Sequence, residues 1–160
     1  MVLKLILIII LMLIVIALAV KCKAYSKEVS LYSKDLFKTQ ELLKESQAMI
    51  MLLESGKNIK DVLLKYNVKN MAVYGFGELG CRVMEQLLFD DEITLMYGID
   101  SNAHGMSIAI DVYTLEEVEN LTKPDVILLT TFDRSGAIKK AIEESTHCKV
   151  IELKEILYGK

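Results

Sequence analysis

The chain begins with an apolar segment that matches the thickness of a lipid bilayer. Residues 2–20 contain one polar side chain, Lys4, and residues 5–20 form an unbroken apolar run. Nineteen helical residues rise about 28 Å, close to the roughly 30 Å of a bilayer's hydrocarbon core. The pattern predicts a transmembrane helix. A signal peptide cleaved near Ala17-Leu18-Ala19 is the alternative, although no polar stretch separates the apolar run from that site.

The charges that flank this segment predict its orientation. Lys21, Lys23 and Lys27 follow the apolar run, whereas Lys4 is the one charged side chain before its core. Positively charged flanks remain on the cytoplasmic side of a membrane. We therefore expect a single-pass membrane protein whose C-terminal part is cytoplasmic.

Residues 27–54 predict a long helix, because they contain neither Gly nor Pro and are rich in Lys, Glu, Leu and Gln. Alternating three- and four-residue steps define a heptad seam that consists of Val29, Tyr32, Leu36, Thr39, Leu43, Ser46, Ile50 and Leu53. Two interpretations stay open: an amphipathic stalk that packs on its own domain, or a coiled coil that binds a second copy or a glycosyltransferase. Ser55-Gly56 ends this helix.

From residue 71 onward, short apolar runs alternate with helical patterns, as in a parallel α/β sheet. The predicted strands cover residues 71–74, 94–99, 107–112, 126–130 and 149–153. Helices are predicted near residues 59–66, 81–89, 114–121 and 137–146. The expected domains are an anchor at 1–23, a helical stalk at 24–57 and a nucleotide-binding domain at 58–160.

A glycine-rich loop connects the first strand to the next helix. It consists of Gly75, Phe76, Gly77, Glu78, Leu79 and Gly80, and it matches the G-x-G-x-x-G pattern of dinucleotide-binding folds. In that pattern the first glycine permits a tight turn, the second lets a phosphate approach the backbone, and the third lets helix and strand pack closely. The N–H groups of the helix then favour an anion. Glu78 opposes a diphosphate at close range unless it points outward.

An acidic residue stands where such a fold places its ribose ligand. Asp100 ends the second strand, 20 residues after Gly80, and no Lys or Arg follows within ten residues. This favours NAD or a UDP-type nucleotide sugar over NADP. Thr130, Thr131 and Arg134 follow the fourth strand, and we expect them to meet a phosphate or a sugar. The fold class is therefore α/β, a small Rossmann-like parallel sheet of about five strands, preceded by a transmembrane helix and a helical stalk.

Composition and missing motifs narrow the function classes. Hydrophobic residues make up 52% of the 160 residues, which excludes a disordered chain, and a net charge of −3 gives no general attraction to nucleic acid. His104 and His147 share no ligand spacing with cysteine or with each other, so no metal site is indicated. None of the seven tyrosines has a lysine four positions later, so the Tyr/Lys pair of sugar epimerases is absent.

Several motifs between residues 58 and 158 resemble bacterial Rossmann-like domains from polysaccharide loci. They are the glycine loop with Tyr74 before it, Gly98-Ile99-Asp100, and the segments 111–117, 125–130 and 148–157. Such domains are often labelled nucleoside-diphosphate-sugar epimerases. They are also similar to the N-terminal nucleotide-sugar-binding domain of sugar O- and N-acyltransferases. The resemblance implies a role beside membrane-bound glycan synthesis, although the acyltransferase β-helix and the epimerase Tyr/Lys pair are both absent.

Three functions remain in competition at this point. The first is a membrane-anchored, non-catalytic module that binds a nucleotide or a nucleotide sugar in a glycan-assembly complex. The second is an NAD-dependent epimerase, dehydratase or oxidoreductase that acts on a nucleotide sugar. The third is a scaffold in which the glycine loop is vestigial and residues 27–54 are the functional surface.

Overall fold

A computed structural model describes residues 2–131 and 135–159, without the side chains of residues 2, 3, 5 and 8. The chain divides into two compact units, Met1–Gln40 and Glu41–Lys160. The first unit is helical, and the second contains a β-sheet with its covering helices.

The N-terminal helix α1 runs without interruption from Val2 to Glu54. The two helical segments predicted at 2–20 and 27–54 are therefore parts of one helix. Its large apolar side chains between Ile6 and Val20 are exposed wherever they are described. By length and composition α1 is a candidate membrane span, a test that a signal sequence also passes.

A five-stranded parallel sheet forms the centre of the second unit. Its strands are β1 (Asn70–Tyr74), β2 (Thr94–Ile99), β3 (Val112–Tyr113), β4 (Val126–Leu129) and β5 (Lys149–Glu152). They lie in the order β3-β2-β1-β4-β5, and all pairs are parallel. This order is that of a Rossmann-like sheet, in which the direction of winding reverses between β1 and β4.

Helices cover both faces of the sheet. They are α2 (Ile59–Lys65), α3 (Glu78–Leu87), α4 (Ser135–Thr146) and α5 (Leu153–Tyr158). Because side chains alternate along a strand, Met71 and Val73 face a core formed with α2, α3, α5 and the last turns of α1. Ala72 faces the opposite core, in which Ile142 of α4 packs.

The third strand is shorter than its hydrophobic alternation predicts. Ile108 and Ile110 are half-buried and pack against the core, as the pattern requires, but the segment 107–111 is not a strand. Pairing begins only where the N–H of Gly98 donates to the carbonyl oxygen of Asp111, at 2.8 Å. The prediction of a strand at 107–112 therefore began this strand about five residues too early in the chain.

The helix predicted at 114–121 is a short 3-10 helix, Glu117–Asn120. The carboxylate of Glu117 accepts a 2.7 Å hydrogen bond from the N–H of Thr114, one of the two hydrogen bonds that make up a capping box. Val118 is the one buried residue of this 3-10 helix. A single buried side chain gives a longer helix little packing energy.

Candidate functional site

The register of the sheet brings the predicted site residues to one edge. Tyr74, the last residue of β1, pairs with Ile99 of β2 and with Leu129 of β4. The residues that follow these three, Gly75, Asp100 and Thr130, therefore leave the sheet side by side. Their common position is the carboxyl end of the strands next to the reversal between β1 and β4, where ligands bind in sheets of this type.

Gly75 makes a turn that other residues rarely adopt. Its φ angle is +92°, and its N–H donates a 2.9 Å hydrogen bond to the carbonyl oxygen of Ile99. A Cβ atom added here would lie 2.5 Å from Cγ2 of Thr131. The fold itself therefore requires glycine at position 75.

Gly80 is also required by the fold. A Cβ atom at this position would lie 1.9 Å from the carbonyl oxygen of Gly75. The contact lets α3 approach the loop closely, and the neighbouring Leu79 is buried in the core. The third glycine of the motif thus serves helix packing, as its position in the pattern predicts.

Gly77 differs from both of these glycines. It is the N-cap of α3 with φ −70°, a conformation open to any residue, and an added Cβ atom would meet no heavy atom of the described residues within 4 Å. The N–H groups of Gly77, Glu78 and Leu79 donate no hydrogen bond to any described residue. The loop therefore leaves open space beside unpartnered donors, which is the geometry that an anionic group needs at a helix N-terminus.

The Asp100 carboxylate connects the end of β2 to the glycine loop. Oδ2 accepts a 2.8 Å hydrogen bond from the backbone N–H of Phe76, and Oδ1 accepts a 2.9 Å hydrogen bond from the N–H of Asn102. Each carboxylate oxygen can accept more than one hydrogen bond. Asp100 is half-buried, so it can hold the loop and still accept hydrogen bonds from a ribose.

The side chain of Phe76 packs into the protein interior. Its ring lies over Gly98 of β2, where a Cβ atom would be 2.3 Å from the ring and 3.1 Å from Cγ2 of Val112. Phe76 is buried, and its N–H is taken by Asp100. In the described structure Phe76 therefore shapes the loop, and its contact with a ligand stays a prediction.

The residues after β4 have different environments. The buried Thr130 hydroxyl donates to the carbonyl oxygens of Tyr74 and Gly75, so it holds the two loops together. The Thr131 hydroxyl oxygen is buried and has no hydrogen-bond partner in the part of the chain that is described. Arg134 lies outside the described residues.

The acidic side chains of Glu78 and Glu45 have different surroundings. Glu78 is exposed in the first turn of α3, where the helix dipole favours a negative charge. Glu45 of α1 is buried, and its Oε2 atom has no hydrogen-bond partner among the described residues. Burial raises the pKa of Glu45, and the nearby Glu41 and Glu152 raise it further.

Glu45 is the residue of this region that the sequence analysis missed. With Thr131, Ser135 and Glu152, it lines a small cavity of about 50 Å³ at the carboxyl ends of β4 and β5. Lys154 also borders this cavity and forms an ion pair with Glu152. In the sequence Glu45 is one of several charged residues of a long helix, so no local signal distinguishes it.

No group of three His, Cys, Asp or Glu side chains that could hold a metal ion occurs in residues 2–131 and 135–159. The described cysteines are unpaired, with Cys22 exposed, Cys81 half-buried and Cys148 buried.

Comparisons with known proteins give limited information. The chain matches no family model. It also matches no curated protein. Among solved structures it is similar to the UDP-D-quinovosamine 4-dehydrogenase from Vibrio fischeri, with 26% sequence identity and a TM-score of 0.45, over 57% of this chain and 85% of that chain. A TM-score of this size does not support an assignment of function. The geometry of the loop carries the assignment of the site.

Proposed function

We propose that the second unit binds a nucleotide or a nucleotide sugar at the glycine loop. One observation carries this proposal: Gly77 has no steric reason to be glycine within the described protein, whereas Gly75 and Gly80 do. A phosphate that approaches the backbone supplies the missing reason, because a Cβ atom would occupy its space. The unpartnered N–H groups at the start of α3 provide the donors for that phosphate.

The proposed ligands are NAD and UDP-type nucleotide sugars. Asp100 stands at the end of β2 with capacity to accept hydrogen bonds from ribose hydroxyls. The resemblance of the sequence motifs to domains from polysaccharide loci is the reason for including a nucleotide sugar. We propose binding without catalysis, because the chain lacks the Tyr/Lys pair of the epimerases. An NAD-dependent epimerase or dehydratase is the alternative.

We also propose that α1 anchors the protein in a membrane, with the binding domain on the cytoplasmic side, beside the enzymes of glycan assembly. The exposed apolar side chains between Ile6 and Val20 support the anchor. Lys21, Lys23 and Lys27 after this segment support the orientation.

Ligand binding is tested by titration calorimetry on the full chain in detergent, with NAD and a set of UDP-sugars. We expect saturable binding of one ligand class. Gly77→Ala should weaken it and Gly77→Val should abolish it, with the melting temperature lowered by no more than a few degrees in both variants. Absence of binding at millimolar ligand, or equal affinity in Gly77→Val, would reject the site and favour the scaffold. Turnover of any UDP-sugar in the presence of NAD would favour the enzyme.

Membrane anchoring is tested separately by alkaline extraction of native membranes, followed by protease digestion of inverted vesicles. An anchored protein stays in the pellet, and a cytoplasmic domain is digested without detergent. A protein that carbonate releases, or that is shortened near Ala19, contradicts the anchor. A domain that is digested only after detergent is added contradicts the orientation.

A further inference from the structure

The apolar positions of the heptad seam are exposed in the structure. Within α1 the exposed fractions range from 47% to 67% for Val29, Tyr32, Leu36, Leu43, Ile50 and Leu53. Their spacing alternates between three and four residues or is a full heptad of seven, which places them on one stripe of a helix. This stripe, the a/d seam, therefore has no cover within the described chain.

A different side of α1 packs on the domain. In the second unit, Met49 and Glu45 of α1 are buried, and Leu42 and Leu52 are half-buried. If Val29 is given heptad position a, Glu45 and Leu52 are at c positions, and Leu42 and Met49 are at g positions. The a and d positions of the seam lie on the adjacent side of the helix. Within the second unit, the domain thus covers one face of α1 and leaves the seam residues Leu43, Ile50 and Leu53 exposed.

In the second unit, three seam residues line a groove of about 580 Å³. One wall is α1, where Ser46, Ile50 and Leu53 are seam positions, and the other wall is α3, which carries Arg82 and Gln86. The Gln86 Oε1 atom is buried without a hydrogen-bond partner among the described residues. The groove therefore has an apolar floor and one unpartnered acceptor. Its charged side chains are Glu78, Glu85 and Arg82, whose guanidinium lies 3.9 Å from the Glu85 carboxylate.

We propose that the occupant is the same stripe of a second copy of this chain, in a parallel, in-register coiled coil. Heptad spacing is self-complementary, because each a or d side chain packs between those of an identical helix. In that arrangement Glu28 faces Ser33 and Asp35 faces Gln40, so neither pair brings like charges together.

The size of the interface fits a dimer that is held together in a membrane. If each of the six apolar side chains removes roughly 100 Å² from water on each chain, the total is about 1,200 Å², the lower limit of specific interfaces. Anchors that enter the same membrane in the same direction hold the helices parallel and raise their effective concentration. The parallel direction rests on the proposed anchor, whereas the choice of face rests on the exposure of the seam.

The experiment uses a cysteine that the chain already contains. Cys22 is exposed and lies one heptad before Val29, at an a position. In a parallel pair the two Cys22 thiols face each other, so a short bis-maleimide should join two full-length chains in native membranes. Cys22→Ser should abolish the covalent dimer. In the double variant Cys22→Ser, Lys23→Cys the cysteine occupies heptad position b. This variant should lower the yield of covalent dimer about tenfold or more.

Two adjacent residues provide a matched pair of variants. Leu36 lies on the seam and Phe37 lies off it, with exposed fractions of 60% and 62%. Leu36→Glu should lower the yield of covalent dimer about tenfold or more, because it places a charge in the seam, and Phe37→Glu should not. Leu43→Glu and Met51→Glu repeat the comparison in the second unit. No covalent dimer in the wild type, or equal effects of the two variants in either pair, would overturn the proposal. These results do not depend on nucleotide binding, which calorimetry measures separately.

Discussion

The backbone N–H of Phe76 donates a 2.8 Å hydrogen bond to Oδ2 of Asp100, 24 residues later in the chain. This bond joins the glycine loop after β1 to the end of β2, the two segments that a nucleotide would bridge. Asp100 therefore holds the loop in position before any ligand arrives. Its structural role and its proposed ribose contact use the same carboxylate, so a substitution affects both.

We expect Asp100→Ala to lower the free energy of unfolding by roughly 1–3 kcal/mol, because the N–H groups of Phe76 and Asn102 lose their acceptor. Denaturant titration of the full chain in detergent measures the difference. The control is Asp111→Ala, since that side chain is exposed and makes no described contact, and it should change the value by less than about 0.5 kcal/mol. Equal effects of the two variants would contradict the structural role of Asp100.

Replacing glycine by alanine should affect the free energy of unfolding far more at position 80 than at position 77. Gly80→Ala places Cβ 1.9 Å from the carbonyl oxygen of Gly75, so the backbone must shift, at a cost of about 3 kcal/mol. Gly77→Ala meets no described atom and should lower the free energy of unfolding by about 1 kcal/mol or less, because alanine is a poorer N-cap residue than glycine. Thermal unfolding of both variants measures this contrast. A loss at Gly77→Ala as large as that at Gly80→Ala would show that the fold, rather than a ligand, requires this glycine.

Glu45 should make the protein less stable as the pH rises. Burial, with Glu41 and Glu152 nearby, raises the pKa of Glu45, so the folded state holds the proton more tightly than the unfolded state does. Stability therefore falls as pH increases from the ordinary pKa of Glu to the raised one. Glu45→Gln should remove this slope and raise the melting temperature at pH 7 by a few degrees.

The control for Glu45 is Glu119→Gln, because Glu119 is exposed and has no described side-chain partner. Melting temperatures of the three proteins between pH 4 and pH 8 make the comparison. A Glu45→Gln variant whose pH profile parallels that of the wild type would contradict the raised pKa.

Asp125 should have the opposite dependence on pH. Its Oδ2 atom accepts hydrogen bonds from the N–H groups of Asn70 and Lys69 at the start of β1, and these bonds lower the pKa of Asp125. The stabilisation is present above the ordinary pKa of Asp and is lost as the pH falls through the lowered one. Asp125→Asn should reduce the acid-induced loss of stability below about pH 4. A circular-dichroism titration of both proteins checks the slope.

Much of the fold follows from local pattern. Apolar runs bounded by turn residues predicted β1, β2, β4 and β5 to within about a residue, because a strand buried on both faces needs a continuous apolar stretch. The G-x-G-x-x-G pattern located the loop between β1 and α3, because the residues that form the pattern are close together in the chain. β3 was misplaced, because pairing with β2 decides where a strand begins.

The sequence by itself determined which residues are apolar, where the turns lie and which positions of α1 share a stripe, since these properties depend on residues close together in the chain. Tertiary structure alone decided that Asp100 holds Phe76, that Thr131 closes the space beside Gly75, and that Glu45 is buried. It also decided which face of α1 the domain covers. Each of these facts depends on contacts between segments far apart in the chain, whose distances only the packed sheet and helices fix.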